Sequence, residues 1–88
     1  MKLAEKEFEN GNLTNGMRLT DLLLEEESCN VDALILKTRI YYKQQKWGDA
    51  LNTLNKVLEV EPKHPLALQY QQIINSILDY WNKDNYNP

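Results

Sequence analysis

The sequence is poor in the residues that form cross-links, metal sites and phosphate-binding loops. Cys29 is its one cysteine and His64 its one histidine, so an intramolecular disulfide is impossible and a secreted disulfide scaffold is excluded. These two residues are too few to complete a tetrahedral structural zinc site. A glycine-rich phosphate loop is missing, and a single histidine in a predicted turn does not support a Ser/His/Asp set. We therefore expect a protein without catalytic residues, cofactor or metal, and not an enzyme.

Long apolar runs and an excess of basic residues are also missing. No apolar segment approaches the ~20 residues of a membrane span, and the first ten residues, "MKLAEKEFEN", lack the apolar core of a signal peptide. Ten Lys and Arg face thirteen Asp and Glu, for a net charge of −3. Because phosphate binding requires a concentrated basic surface, this balance argues against nucleic acid. We expect a soluble, cytoplasmic protein that binds neither membranes nor nucleic acid.

What the sequence does contain is helical periodicity. Three glycines and three prolines favour long helices over many short strands. Apolar residues recur at three- and four-residue steps through residues 33–41 and again through 47–58, with the polar segment 43–46 between them. This pattern predicts two helices joined by a tight turn. Pro62 ends the second of them, and Pro65 begins a further long helix at a position where its missing N–H costs nothing.

The sequence matches itself when it is displaced by the number of residues that separates Leu13 from Trp47. We name this step the repeat displacement. Small residues then pair with small and large with large: Leu13 with Trp47, Gly16 with Ala50, Leu24 with Leu58, Ala33 with Ala67, Leu34 with Leu68 and Ile40 with Ile74. The step equals the helix-pair period of tetratricopeptide repeats. The segment "VDALILKTRIYYKQQKWGDALNTLNKVLEVEP", Val31 to Pro62, resembles one complete repeat of this family. In that resemblance Tyr41 is the aromatic of the first helix and Ala50 the small residue of the second.

The resemblance covers almost the whole chain and implies its architecture. It implies an all-α fold of five helices, arranged as a right-handed superhelical stack of antiparallel helix hairpins with about two and a half repeats. Residues 1–30 would form a first, N-terminally truncated repeat, and residues 31–64 the complete central repeat. Residues 65–83 would form a capping helix, followed by a flexible tail over 84–88.

The resemblance also implies a function, because in this family the first helices of the repeats line a concave face that usually binds an extended or helical peptide. The chain would then be a protein–protein interaction module with a protein or peptide as its partner. The predicted partner-binding residues are Ile35, Arg39, Tyr42, Lys43, Gln69, Tyr70 and Ile73, preceded on the first copy by Lys2, Glu5, Phe8 and Glu9. Aromatic and arginine side chains are the types that most often dominate binding energy.

The last helix offers an alternative. Its apolar side chains cover well over half of its circumference, which is more than one neighbouring hairpin can bury. Surplus apolar surface of this kind marks an interaction site. The alternative hypothesis is therefore a self-associating structural protein, a homodimer formed through the last helix with Ile77, Tyr80 and Trp81 as the contact.

Overall fold

The chain is all-helical through the residues that the structure describes. A computed structural model describes the backbone of residues 1–86 and the side chains of residues 1–81. The helices are Lys2–Glu9 (α1), Leu13–Glu26 (α2), Val31–Lys43 (α3), Trp47–Val60 (α4) and Pro65–Tyr86 (α5), and residues 1–86 contain no strand. The prediction of an all-α chain with five helices is confirmed.

The backbone repeats with the period found in the sequence. Helices α2 and α4 are both 14 residues long, and they begin at Leu13 and Trp47, which the repeat displacement pairs. The residues that follow α1 and α3, Asn10 and Gln44, have φ angles of −79° and −82° and share a ψ of −1°. The next residue in each turn has a positive φ, 81° at Gly11 and 58° at Gln45. Both helix hairpins therefore close through the same turn, although only the first uses glycine at the left-handed position.

The turns between the hairpins repeat in the same way, through a side-chain cap. Asn30 Oδ1 accepts a hydrogen bond from the N–H of Ala33 at 3.1 Å. His64, at the position that the repeat displacement pairs with Asn30, accepts one through Nδ1 from the N–H of Ala67 at 3.2 Å. Each side chain satisfies a backbone donor that the first turn of a helix leaves without a partner. His64, which has no predicted chemical role, is thus the N-terminal cap of α5.

Replacing His64 tests this capping role. His64→Ala is expected to lower the free energy of unfolding by about 1 kcal/mol, because an N–H of α5 loses its acceptor. His64→Asn is the matched control, since asparagine supplies an acceptor at the equivalent position before α3. Urea denaturation at neutral pH measures both variants. An equal loss in the two variants would show that the histidine stabilises the turn by packing and not by capping.

The core is divided between two clusters, and α3 contributes to both. One cluster consists of Ala4, Leu36 and Ile40 and joins α3 to the first hairpin. The other joins α3 to α4 and α5 and comprises Leu34, Ile35, Ala50, Leu54, Val57, Ala67 and Ile74. Helices that are consecutive in the chain make the extensive contacts: α1 with α2, α2 with α3, α3 with α4, and α4 with α5. The central helix α3 is consequently the most deeply buried of the five.

Helix α5 is longer than predicted. It continues to Tyr86, beyond the expected end of the capping helix at residue 83 and into the segment predicted as a tail. The physical reason is that residues 66–86 contain neither proline nor glycine, so nothing in the backbone ends the helix earlier. The remainder of that predicted tail, residues 87–88, lies outside the described residues.

Candidate partner-binding surface

Helices α1, α3 and α5 lie side by side and form one surface, named here the first-helix face. The guanidinium of Arg39 on α3 lies 4.6 Å from the centre of the Phe8 ring on α1. The rings of Tyr42 on α3 and Tyr70 on α5 meet edge to face, with their centres 5.4 Å apart. These two contacts place α3 between α1 and α5. All four residues belong to the predicted binding set.

A hollow opens between α3 and α5 on this face, named here the Tyr42 hollow. It has a volume of about 280 Å³ and is lined by Tyr42, Leu66, Gln69, Tyr70 and Ile73. The Tyr42 ring is held from a second side by Trp47, with the ring centres 5.3 Å apart. Edge-to-face aromatic pairs are favourable beyond the area they bury, so these contacts fix the positions of both tyrosine rings.

Four of the seven predicted partner-binding residues therefore meet in one hollow, and the structure adds a fifth residue. Leu66 is 47% exposed and was not among the predicted residues. The sequence carried a signal for it, because Leu66 precedes Tyr70 by four residues and so shares its side of the helix. Ile35 has the opposite outcome: it is only 8% exposed and packs in the core against α4, so it offers almost no surface to a partner.

The charged members of the predicted set lie on α1 and α3, outside the lining of the hollow. Arg39 and Lys43 are exposed and lie one helical turn apart on α3. On α1, Lys2, Glu5 and Glu9 are also exposed. Among the described side chains of residues 1–81, the one ion pair joins Lys37 to Asp21 at 2.8 Å, and it links α3 to α2. The charges of the first-helix face thus have no ion-pair partner within that part of the chain.

Helix α5 exposes further apolar surface. Ile73, Ile77 and Tyr80 line an open depression of about 510 Å³ together with Gln72 and Ser76. Through Ile73 this depression continues the Tyr42 hollow. The predicted dimer contacts lie here or beside it: Ile77 is half-buried, while Tyr80 and Trp81 are 66% and 57% exposed.

The apolar residues of α5 form a regular stripe, named here the α5 stripe. It consists of Leu66, Tyr70, Ile73, Ile77 and Tyr80. Successive members are four, three, four and three residues apart, which is the a/d spacing of helices that pack along each other. Leu66, Ile73 and Tyr80 of this stripe are exposed, while Tyr70 and Ile77 are half-buried.

A second apolar hollow lies at the opposite end of the molecule, and the sequence analysis did not identify it. It has a volume of about 240 Å³ and is lined by Met1, Leu3, Ala4, Leu19, Leu22, Leu23 and Glu26. Both helices of the first hairpin contribute to its lining, Leu3 and Ala4 from α1 and Leu19, Leu22 and Leu23 from α2.

Residues 1–81 contain no group of three His, Cys, Asp or Glu side chains arranged to hold a metal ion. The thiol of Cys29 is free and exposed. None of the described helices is both long enough and apolar enough to cross a membrane.

Comparison with known proteins adds no relative. No family model matches the chain, and no curated protein or solved structure is similar enough to count as a match.

Proposed function

We propose that this chain is a tetratricopeptide-like solenoid that acts as a protein–protein interaction module and not as an enzyme. In this proposal the helix hairpins stack as a right-handed superhelix of about two and a half repeats. The regular repetition of helix starts and turns supports it, as does the confinement of extensive contacts to consecutive helices. We also place the protein in the cytoplasm, where a reducing environment keeps a free, exposed thiol such as Cys29 unpaired.

The binding site in this proposal is the first-helix face, and the Tyr42 hollow is the observation that supports it most directly. The ring centres of Tyr42 on α3 and Tyr70 on α5 lie 5.4 Å apart. The exposed apolar side chains of Leu66 and Ile73 line the same hollow. Binding energy at interfaces is concentrated in central aromatic and apolar pockets of this kind. Because the rings are already in place, a peptide or helix binding here avoids the cost of ordering them.

Paired substitutions of exposed apolar residues test the site. Once a partner segment has been identified by pull-down and mass spectrometry, Leu66→Ser and Ile73→Ser are each expected to weaken its binding by about tenfold, since each removes apolar surface that binding would bury. Leu3→Ser and Leu22→Ser are matched controls, because those leucines are 59% and 48% exposed at the other hollow. Calorimetric titration measures all four. Weakening by the controls alone would place the partner at the α1–α2 end.

A second candidate function is self-association through α5. The exposed aromatic side chains of Tyr80 and Trp81 favour this function. Tyr80, the last member of the α5 stripe, and Trp81 beside it are two large aromatic side chains that are mostly exposed. Burying a large apolar side chain contributes roughly 1.5–3 kcal/mol, before the cost of bringing two chains together is subtracted. Because two or three such side chains only modestly exceed that cost, the expected dimer is weak, with a dissociation constant in the micromolar range or above.

A further inference from the structure

Helices α1, α3 and α5 differ in side-chain charge at positions that the repeat displacement aligns. The repeat displacement aligns Glu5 with Arg39 and Ile73, and it aligns Glu9 with Lys43 and Ile77. The two aligned positions are four residues apart on every helix, so each pair occupies one side of its helix. At these positions α1 is acidic, α3 is basic and α5 is apolar.

These positions are accessible, so the first-helix face consists of three parallel strips. Both glutamates of α1 and both basic residues of α3 are exposed. Ile73 is 37% exposed and Ile77 is half-buried. Since the Arg39–Phe8 and Tyr42–Tyr70 contacts put α3 in the middle, the basic strip lies between the acidic strip and the apolar strip.

The basic strip lacks a counter-charge on the side of α5. No carboxylate of residues 1–81 lies within 4.0 Å of the Arg39 or Lys43 charge, and residues 65–78 of α5 contain no charged residue at all. The Arg39 guanidinium lies 4.6 Å from the centre of the Phe8 ring, and an arginine in contact with an aromatic ring can still donate N–H groups to a carboxylate. The basic strip therefore has no ion-pair partner in this part of the chain, and it lies on the helix next to the apolar side of α5.

We propose that the first-helix face binds an acidic amphipathic helix of another protein. The apolar side of that helix packs on the α5 stripe and enters the Tyr42 hollow, while its carboxylates face Arg39 and Lys43. A helix is the matching shape because both strips repeat with one helical turn and the α5 stripe has a/d spacing. The glutamates of α1 repel a partner whose acidic side lies further across the face, so they select one placement.

This inference rests on the proposed interaction function, and a peptide pair tests it. The probe is an amphipathic peptide of about 18 residues made of Leu, Ala and Glu, with leucines at a/d spacing and glutamates along one flank. Its sister peptide carries lysine at every glutamate position. Calorimetric titration with the whole chain is expected to show the Glu peptide binding about tenfold more tightly than the Lys peptide, from two charge pairs gained in one case and two repulsions in the other.

Charge reversal on the protein locates the effect. The double variant Arg39→Glu/Lys43→Glu is expected to reverse the preference in favour of the Lys peptide. The control double variant Lys56→Glu/Lys63→Glu makes the same change in net charge at exposed positions on α4 and in the turn before α5, and it is expected to keep the preference for the Glu peptide. Equal binding of the two peptides, binding of neither, or a preference that survives the Arg39/Lys43 reversal would overturn the proposed partner.

A third variant separates this inference from the function on which it rests. If Ile73→Ser abolishes peptide binding but the charge reversal has no effect, the first-helix face is the site and the acidic partner is wrong. If peptide binding is unchanged by Ile73→Ser, the first-helix face itself is not the site. If the chain sediments as a dimer that the Glu peptide does not dissociate, a second copy occupies the face and the acidic helix is excluded.

Discussion

Ile40→Ala is expected to lower the free energy of unfolding by about 2–5 kcal/mol. Ile40 has no exposed surface, and its Cδ1 atom lies against Gly16 of α2, 3.5 Å from where a Cβ at that glycine would be. Together with Ala4 and Leu36 it forms the cluster that holds the first hairpin against α3. Removing three carbon atoms there leaves a cavity whose lining loses its contacts, and a chain of this length has only about 4–13 kcal/mol of stability in total.

Urea denaturation followed by far-ultraviolet circular dichroism measures the loss. The control is Leu22→Ala on α2, where the side chain is 48% exposed and the expected change is within about 0.5 kcal/mol. Amide hydrogen exchange of Ile40→Ala shows which helices lose stability. The first hairpin packs through the cluster that contains Ile40, whereas α4 and α5 pack through the cluster that contains Leu54. Relative to the unmodified protein, we expect the substitution to accelerate exchange more in α1 and α2 than in α4. Uniform acceleration along the chain would show that the two clusters do not unfold separately.

Trp81→Glu is expected to weaken any self-association of the chain by about tenfold or more while leaving the helical content nearly unchanged. Trp81 is 57% exposed, so its removal costs the single chain little, but a glutamate would place a charge within an apolar contact between two copies. Losing the burial of one large side chain, worth roughly 1.5–3 kcal/mol, corresponds to this change in the dissociation constant.

Sedimentation equilibrium over a range of protein concentrations measures this effect. The control is Leu3→Glu, which introduces the same charge at a leucine that is 59% exposed on α1. Dissociation by Leu3→Glu and not by Trp81→Glu would place the contact at the α1–α2 hollow. A monomer at high micromolar concentration in the unmodified protein would reject self-association and leave the α5 stripe to a different partner.

The sequence was sufficient to predict the number of helices, their order and the period that relates them. The starts of α3, α4 and α5 were predicted because each follows a clear signal, such as the polar segment before Trp47 or the proline at position 65. Gly16 and Ala50 were recognised as small residues at matching positions, and both are buried. These features depend on local spacing and on backbone chemistry, which a sequence displays directly.

The placement of individual side chains was predicted less well. Leu34, Ile35 and Leu36 are three consecutive apolar residues, and periodicity alone does not tell which of them faces a partner helix. The structure buries all three because α3 has the first hairpin on one side and α4 with α5 on the other. The sequence therefore predicted Ile35 as a partner-binding residue, whereas the structure places it in the core.

What the sequence by itself determined is the set of helices and the chemistry of the strips: glutamate, basic residue and isoleucine at positions that the repeat displacement aligns. Only the tertiary structure decided that Leu66 completes the Tyr42 hollow, that a second hollow lies between α1 and α2, and that His64 caps α5. The physical reason is that exposure and hydrogen bonding depend on which surfaces remain uncovered after packing. Packing depends in turn on the lengths of neighbouring helices, which the apolar period does not specify.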